Sequence, residues 1–146
     1  MRGKTGKLVK IQFFEPDVGY ENLWAAPIKG ETYRIESIPF FVYGVSLGDI
    51  VKASPDGEGR LQFEKVLQPS GHKTLRARSD DFIKHATRLK SVISHLRKLS
   101  SDVEVLNSRL LAIDIPPSAN LETITKYLTN RAKVSWEYGN PEDLNE

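Results

Sequence analysis

Ile38-Pro-Phe-Phe-Val-Tyr-Gly-Val-Ser-Leu-Gly-Asp-Ile-Val-Lys-Ala-Ser-Pro-Asp-Gly-Glu-Gly-Arg-Leu-Gln-Phe-Glu-Lys-Val-Leu-Gln-Pro-Ser-Gly-His-Lys-Thr-Leu-Arg76 is the stretch on which the fold turns. Its centre reads as a β-hairpin: residues 50–53 make a short apolar strand, residues 54–59 are a cluster of turn formers, and Leu61, Phe63 and the pair Val66-Leu67 alternate along the returning strand. Upstream, residues 7–15 alternate loosely and stop at Pro16, which cannot donate to a sheet ladder. Residues 23–28 and 32–37 read as two more strands with Gly30 at the turn between them. Five or six short strands with turn chemistry between them and no helical period predict a small curled sheet or an SH3-like barrel.

Downstream the period changes. Residues 72–78 read as a strand, after which Ser79 can cap a helix carrying Asp80 and Asp81 in its first turn, where carboxylates suit the positive end of the helix dipole. Phe82, Ala86, Leu89, Ile93 and Leu96 follow at steps of four, three, four and three, one apolar stripe that runs to Leu99. Residues 103–106 and 109–115 make two strands around Asn107-Ser108, and Pro116-Pro117 stops the second. Asn120 can cap a second helix bearing Leu121, Ile124 and Leu128, and residues 133–138 make a last strand. The order β-α-β-β-α-β predicts a ferredoxin-like arrangement, two helices on one face of a four-stranded antiparallel sheet. The expected fold class is therefore α+β, with a β-barrel subdomain at 1–69, a ferredoxin-like subdomain at 70–140 and a polar tail at 141–146.

At 146 residues and 16.5 kDa, 39% hydrophobic and 27% charged, the chain suits one compact domain or two small subdomains sharing a core. It has no cysteine, which removes disulfides, thiolate catalysis and Cys-ligated metal sites. His72, His85 and His95 are scattered, so no metal site is expected, and no cofactor either. No run reaches the roughly 18 apolar residues of a membrane helix, and the cytoplasm is the expected address. The net charge of +2 hides an uneven distribution: residues 60–101 carry ten bases and three acids, while both flanks are acidic. Lys84, Arg88, Arg97 and Lys98 are the candidate basic surface of that segment.

The densest polar constellation is Ser70-Gly-His-Lys-Thr-Leu-Arg76, at the point where the barrel hands the chain to the second half. Gly71 can take conformations closed to other residues. On the strand behind it His72, Thr74 and Arg76 alternate onto one face. An imidazole, a hydroxyl and a guanidinium in a row can hold a phosphate, a carboxylate or a nucleobase edge. They can equally serve the seam, with Arg76 paired to a carboxylate for which Asp49 is the first candidate. A serine nucleophile would need a base within hydrogen-bond reach and an acid behind it, and Ser70 and His72 with a remote Asp49 or Asp114 form no recognised motif. Gly3-Lys4-Thr5 lacks the strand before it and the helix after it that a phosphate-binding loop requires. Trp24, Phe40, Phe41, Tyr43, Trp136 and Tyr138 would stack bases if they lay exposed beside the basic segment, but the central strands of the expected second sheet carry no aromatic residue.

The Ser37-Ile-Pro-Phe40 start, the Tyr43-Gly-Val-Ser-Leu-Gly-Asp49 segment and the Ser70-to-Arg76 run resemble the core pattern of a bacterial family catalogued as domain of unknown function 4265. The resemblance is densest at residues 37–49 and 69–76 and weak at 111–116 and 136–139. In that family an arginine often precedes the serine, where this chain has Pro69. Such small cysteine-free proteins without a catalytic motif are often binding proteins, including immunity proteins that neutralise a toxin. The expectation is a non-enzymatic module that binds a protein partner, with Ser70, His72, Thr74, Arg76 and Asp49 as its site. Nucleic-acid or nucleotide binding through residues 65–98 is the alternative.

Overall fold

The computed structural model describes residues 7–107 and 109–139, so Gly3-Lys4-Thr5, Ser108 and the tail at 141–146 lie outside the described residues. Strands β1 (Val9–Glu15), β2 (Gly19–Lys29), β3 (Thr32–Ile35), β4 (Ile50–Pro55) and β5 (Leu61–Gln68) form a closed barrel in that order. The ring closes because β5 returns parallel to β1, pairing Ile11 with Leu61 and Gln12 with Gln62, and a hydrogen bond between the two glutamine side chains at 2.8 Å marks the closure. A barrel leaves no strand edge exposed, which settles the choice against an open curled sheet. Its interior follows the two-residue period: Ile11 and Phe13, Leu23 and Ala25, Val51 and Ala53 are all buried. The strand expected at 32–37 stops at Ile35 because Ser37 leaves the ladder and accepts the Trp24 N–H on its hydroxyl at 2.8 Å.

The second sheet has the order β7-β8-β6-β9, where β6 is Lys73–Arg78, β7 Asp102–Val105, β8 Leu110–Ile115 and β9 Ser135–Tyr138, with every pairing antiparallel. Helices α1 (Asp81–Lys84), α2 (Ala86–Lys98) and α3 (Leu121–Lys126), the last running on into a π-helical turn at Tyr127–Ala132, cover one face. Leu75, Leu111 and Ile113 from the sheet meet Phe82, Leu96, Ile124 and Leu128 in one core. Each such fully buried side chain contributes about 1.5–3 kcal/mol. The single helix expected over 80–99 is interrupted at His85, whose φ of −130° and ψ of 78° leave the helical region. The apolar stripe restarts after that break, so Ala86 is exposed and Val92 is buried. Asn120 caps α3 as expected, accepting the Thr123 N–H at 2.9 Å, whereas the N-cap of α1 is Asp80 without a side-chain cap and Ser79, one residue earlier, accepts the Asp81 N–H at 3.2 Å.

Alternation on β6 sorts its side chains between the two units. Leu75 and Ala77 face the helices, while Thr74 and Arg76 face the barrel and the long loop between β3 and β4. The row singled out in the sequence therefore forms the wall of a seam between two packed units.

Candidate functional site

At one end of the seam, polar groups satisfy one another. Asp49 accepts the Ser46 N–H at 2.9 Å on one carboxylate oxygen and the Ser70 N–H at 2.8 Å on the other, tying the barrel loop to the crossover. Ser70 donates its hydroxyl proton to the Leu47 carbonyl at 2.7 Å and accepts the His72 N–H at 3.1 Å. Its hydroxyl is thus engaged with the backbone and is not aligned on an imidazole. Gly48 has a φ of +86°, and a Cβ there would sit 3.1 Å from Ser70 Cβ, so both its conformation and its close approach favour glycine. Thr74 and Ser46 share a hydrogen bond of 2.8 Å between their buried hydroxyls. His72 Nδ1 lies 2.9 and 3.0 Å from the two carboxylate oxygens of buried Asp114, a contact that orients the imidazole ring.

Arg76 acts differently from expectation. Its guanidinium does not pair with Asp49, whose oxygens serve the backbone instead. Nη1 donates to the carbonyls of Pro39 and Val42 at 3.2 and 2.9 Å, and Nη2 to those of Phe41 and Val42 at 3.2 and 2.9 Å. From the other side, the Glu21 carboxylate on β2 accepts the N–H groups of Phe40, Phe41 and Val42 at 2.8, 2.9 and 3.0 Å. Residues 39–42 are held between a carboxylate of the barrel and a guanidinium of the sheet, which satisfies a loop with little secondary structure of its own. Arg76 Nε is buried without a hydrogen-bond acceptor among the described residues; the Glu137 carboxylate stands off at 3.5 Å. Glu137 instead accepts the Tyr43 hydroxyl at 2.8 Å, and that bond, followed by burial, raises the Tyr43 pKa above its ordinary value. The Tyr43 ring lies 4.8 Å from the Arg76 guanidinium carbon, a cation–π contact.

Two clefts open at the ends of this row. Beyond Arg76, a cleft of about 320 Å³ is lined by Phe40, Phe41, Arg76, Arg78, Leu110 and Glu137. At the other end, one of about 460 Å³ involves Leu47, His72, Arg97, Ser101, Asp102 and Asp114. The second holds a histidine and a carboxylate in contact, but the Ser101 hydroxyl beside them is closed off from solvent and has no partner among the described residues, so the three do not assemble an accessible nucleophile.

The seam brings together all five residues expected there: Ser70, His72, Thr74, Arg76 and Asp49. The expected basic surface is scattered. Lys84 is exposed on α1, Arg88 pairs with Asp81 at 2.7 Å and donates to the Ala132 carbonyl, and Arg97 and Lys98 are exposed near the end of α2. Among the aromatic candidates, Trp136 packs against the helical core and donates to Thr129 at 2.9 Å, while Trp24 and Tyr43 are exposed. The residues missed from sequence are Glu21, Ser46, Arg78 and Glu137, together with the pairing of Asp114 to His72. Asp114 carried a signal, being the one charged residue in the apolar run Leu110-Leu-Ala-Ile-Asp-Ile115. Glu21 carried none, because its three partners lie about twenty residues away on a loop.

No curated protein matches the chain. A crystal structure of a hypothetical protein from Neisseria gonorrhoeae superposes with a TM-score of 0.71 at 15% identity, over 94% of this chain and 97% of that one, a likeness of fold. The family model described as Domain of unknown function (DUF4265) matches residues 21–138, which include the β3–β4 loop, the Ser70-to-Arg76 run and Glu137, and the chain belongs to that family.

Proposed function

We propose that the protein works by binding rather than by catalysis, and that its partner is another protein. The observation that carries this reading is the aromatic face beside the open end of the seam. Phe14 and Tyr20 are direct cross-strand partners, 59% and 66% exposed, with ring centroids 5.1 Å apart. Glu15, the next residue on β1, accepts the Tyr43 N–H at 3.0 Å, which ties the β3–β4 loop, with its exposed Tyr43, to the end of the strand that carries Phe14. Large aromatic side chains grouped at a surface are the residues that anchor protein interfaces. In this reading the barrel is SH3-like and the second half ferredoxin-like, which the strand order β7-β8-β6-β9 supports, with the boundary near residue 69 and the cytoplasm as the place of action. Toxin neutralisation is one form such a module takes.

Quantitative affinity capture from the native host tests the reading. A stoichiometric protein partner is expected with the wild type and at least a tenfold smaller yield with Phe14→Ala/Tyr20→Ala, as the loss of two interface anchors of about 1–2 kcal/mol each requires. Recovery of no partner, together with turnover in a hydrolase or transferase screen, overturns it. The nucleic-acid reading is favoured by one feature, Lys90, Arg97 and Lys98 flanking a shallow groove on α2. It requires binding that weakens steeply with salt, and gel shifts at two salt concentrations decide it.

A further inference from the structure

The 320 Å³ cleft at the open end of the seam is lined by Arg76, Arg78 and Glu137, which leave an excess of one positive charge. Arg78 is exposed, and its guanidinium has no ion pair or hydrogen bond among the described residues. Below it, Arg76 is 3% exposed and faces the Glu137 carboxylate at 3.5 Å through Nε, an ion pair without a hydrogen bond. The remaining wall is Phe40, Phe41, Leu110 and Trp136, with Ser135 as its one neutral polar side chain. Arg78 and Leu110 are direct partners across the β6–β8 ladder, so their side chains leave one sheet face from β-carbons about 5 Å apart.

That spacing selects among anions. An internal Asp or Glu of an extended segment places its nearest apolar neighbours on the opposite side of the chain. A C-terminal residue carries a carboxylate and an apolar side chain on the same α-carbon, and both fall within the reach of one Arg–Leu pair. β9, which borders the cleft, is an edge strand of its sheet, so the residues ahead of such a terminus can lie extended beside it. We infer that this cleft takes the C-terminal carboxylate of the partner protein, with a leucine- or phenylalanine-like last side chain against Phe40, Phe41 and Leu110 and the carboxylate on Arg78. The inference rests on the protein-binding reading and names the part of the partner that is read.

The test uses the whole protein with N-acetyl-leucine and N-acetyl-leucinamide, and with N-acetylated tetrapeptides ending in leucine as free acid and as amide, followed by NMR at the Arg78 Nε–H and the Leu110 methyl groups. The acids are expected to shift both groups and to bind about tenfold or more tightly than the amides, as a charge-assisted bond to arginine requires. In Arg78→Gln that preference is expected to fall to about unity with the Leu110 response retained. Equal binding of acid and amide, an unchanged preference in Arg78→Gln, or no response at Arg78 at millimolar ligand overturns the inference. Partner capture that depends on Phe14 and Tyr20 alongside acid–amide indifference removes the terminus and leaves protein binding standing. An acid preference without any captured partner removes the protein-binding reading.

Discussion

The two ends of the β6 row are built from similar residues and do different things. At the Thr74 end, hydroxyls and carboxylates are consumed by the chain itself: Asp49 serves two backbone N–H groups, Ser70 one carbonyl and one N–H, and Thr74 and Ser46 each other. At the Arg78 end the Arg78 guanidinium is exposed, the Arg76 Nε faces Glu137 at 3.5 Å without a hydrogen bond, and a cleft lined by Phe40 and Phe41 opens beside them. Proximity of polar groups is therefore a poor guide to a ligand site. What distinguishes the ends is whether hydrogen-bonding capacity is already spent.

The sharpest single break of the closed end is Asp49→Ala. It leaves the buried Ser46 N–H and the part-buried Ser70 N–H without their carboxylate, and the expected loss is about 2–4 kcal/mol in chemical denaturation. Ligand binding at the Arg78 cleft should persist in the folded fraction. A loss below about 0.5 kcal/mol, the scale of an ordinary surface change, would show that the closed end does not hold the seam.

A smaller effect sharpens the description of the open end. Tyr43 donates to Glu137, and its pKa is raised chiefly by that bond. A group whose folded pKa is raised contributes stability that is present below its unfolded value, near 10 for a phenol, and lost as pH rises through the folded value. Glu137→Gln should accordingly bring the Tyr43 titration, followed by ultraviolet absorbance, down toward the ordinary phenol value. The stability difference between variant and wild type should be constant from neutral pH to about pH 10 and shrink above it. A Tyr43 midpoint unmoved by Glu137→Gln would place the cause elsewhere.

The fold was largely legible because each strand carries local evidence. The turn cluster at 54–59 and Gly30 punctuate the barrel, and the apolar run of β8 announces a central strand buried on both faces. The helix break at His85 was not legible, since nothing in Lys84-His-Ala86 is a helix breaker by propensity. The seam was legible as a set of residues and illegible as a set of bonds. Alternation puts Thr74 and Arg76 on one face whatever lies opposite. That Arg76 meets three backbone carbonyls rather than Asp49 depends on how the β3–β4 loop crosses the sheet, which Glu21 decides from another strand. Arg78 carries no signal of its own, because next to a dense S-G-H-x-T-x-R run a lone exposed arginine looks like ordinary surface.

The central claim is that Arg76 holds the seam while Arg78, two residues along the same face, is left for a ligand. Equilibrium denaturation of Arg76→Ala and Arg78→Ala, measured side by side, tests it most directly. Arg76→Ala orphans the carbonyls of Pro39, Phe41 and Val42 and is expected to cost about 3 kcal/mol or more, whereas Arg78→Ala should stay within about 0.5 kcal/mol of the wild type. Equal losses in the two variants, or a larger loss in Arg78→Ala, would contradict the account.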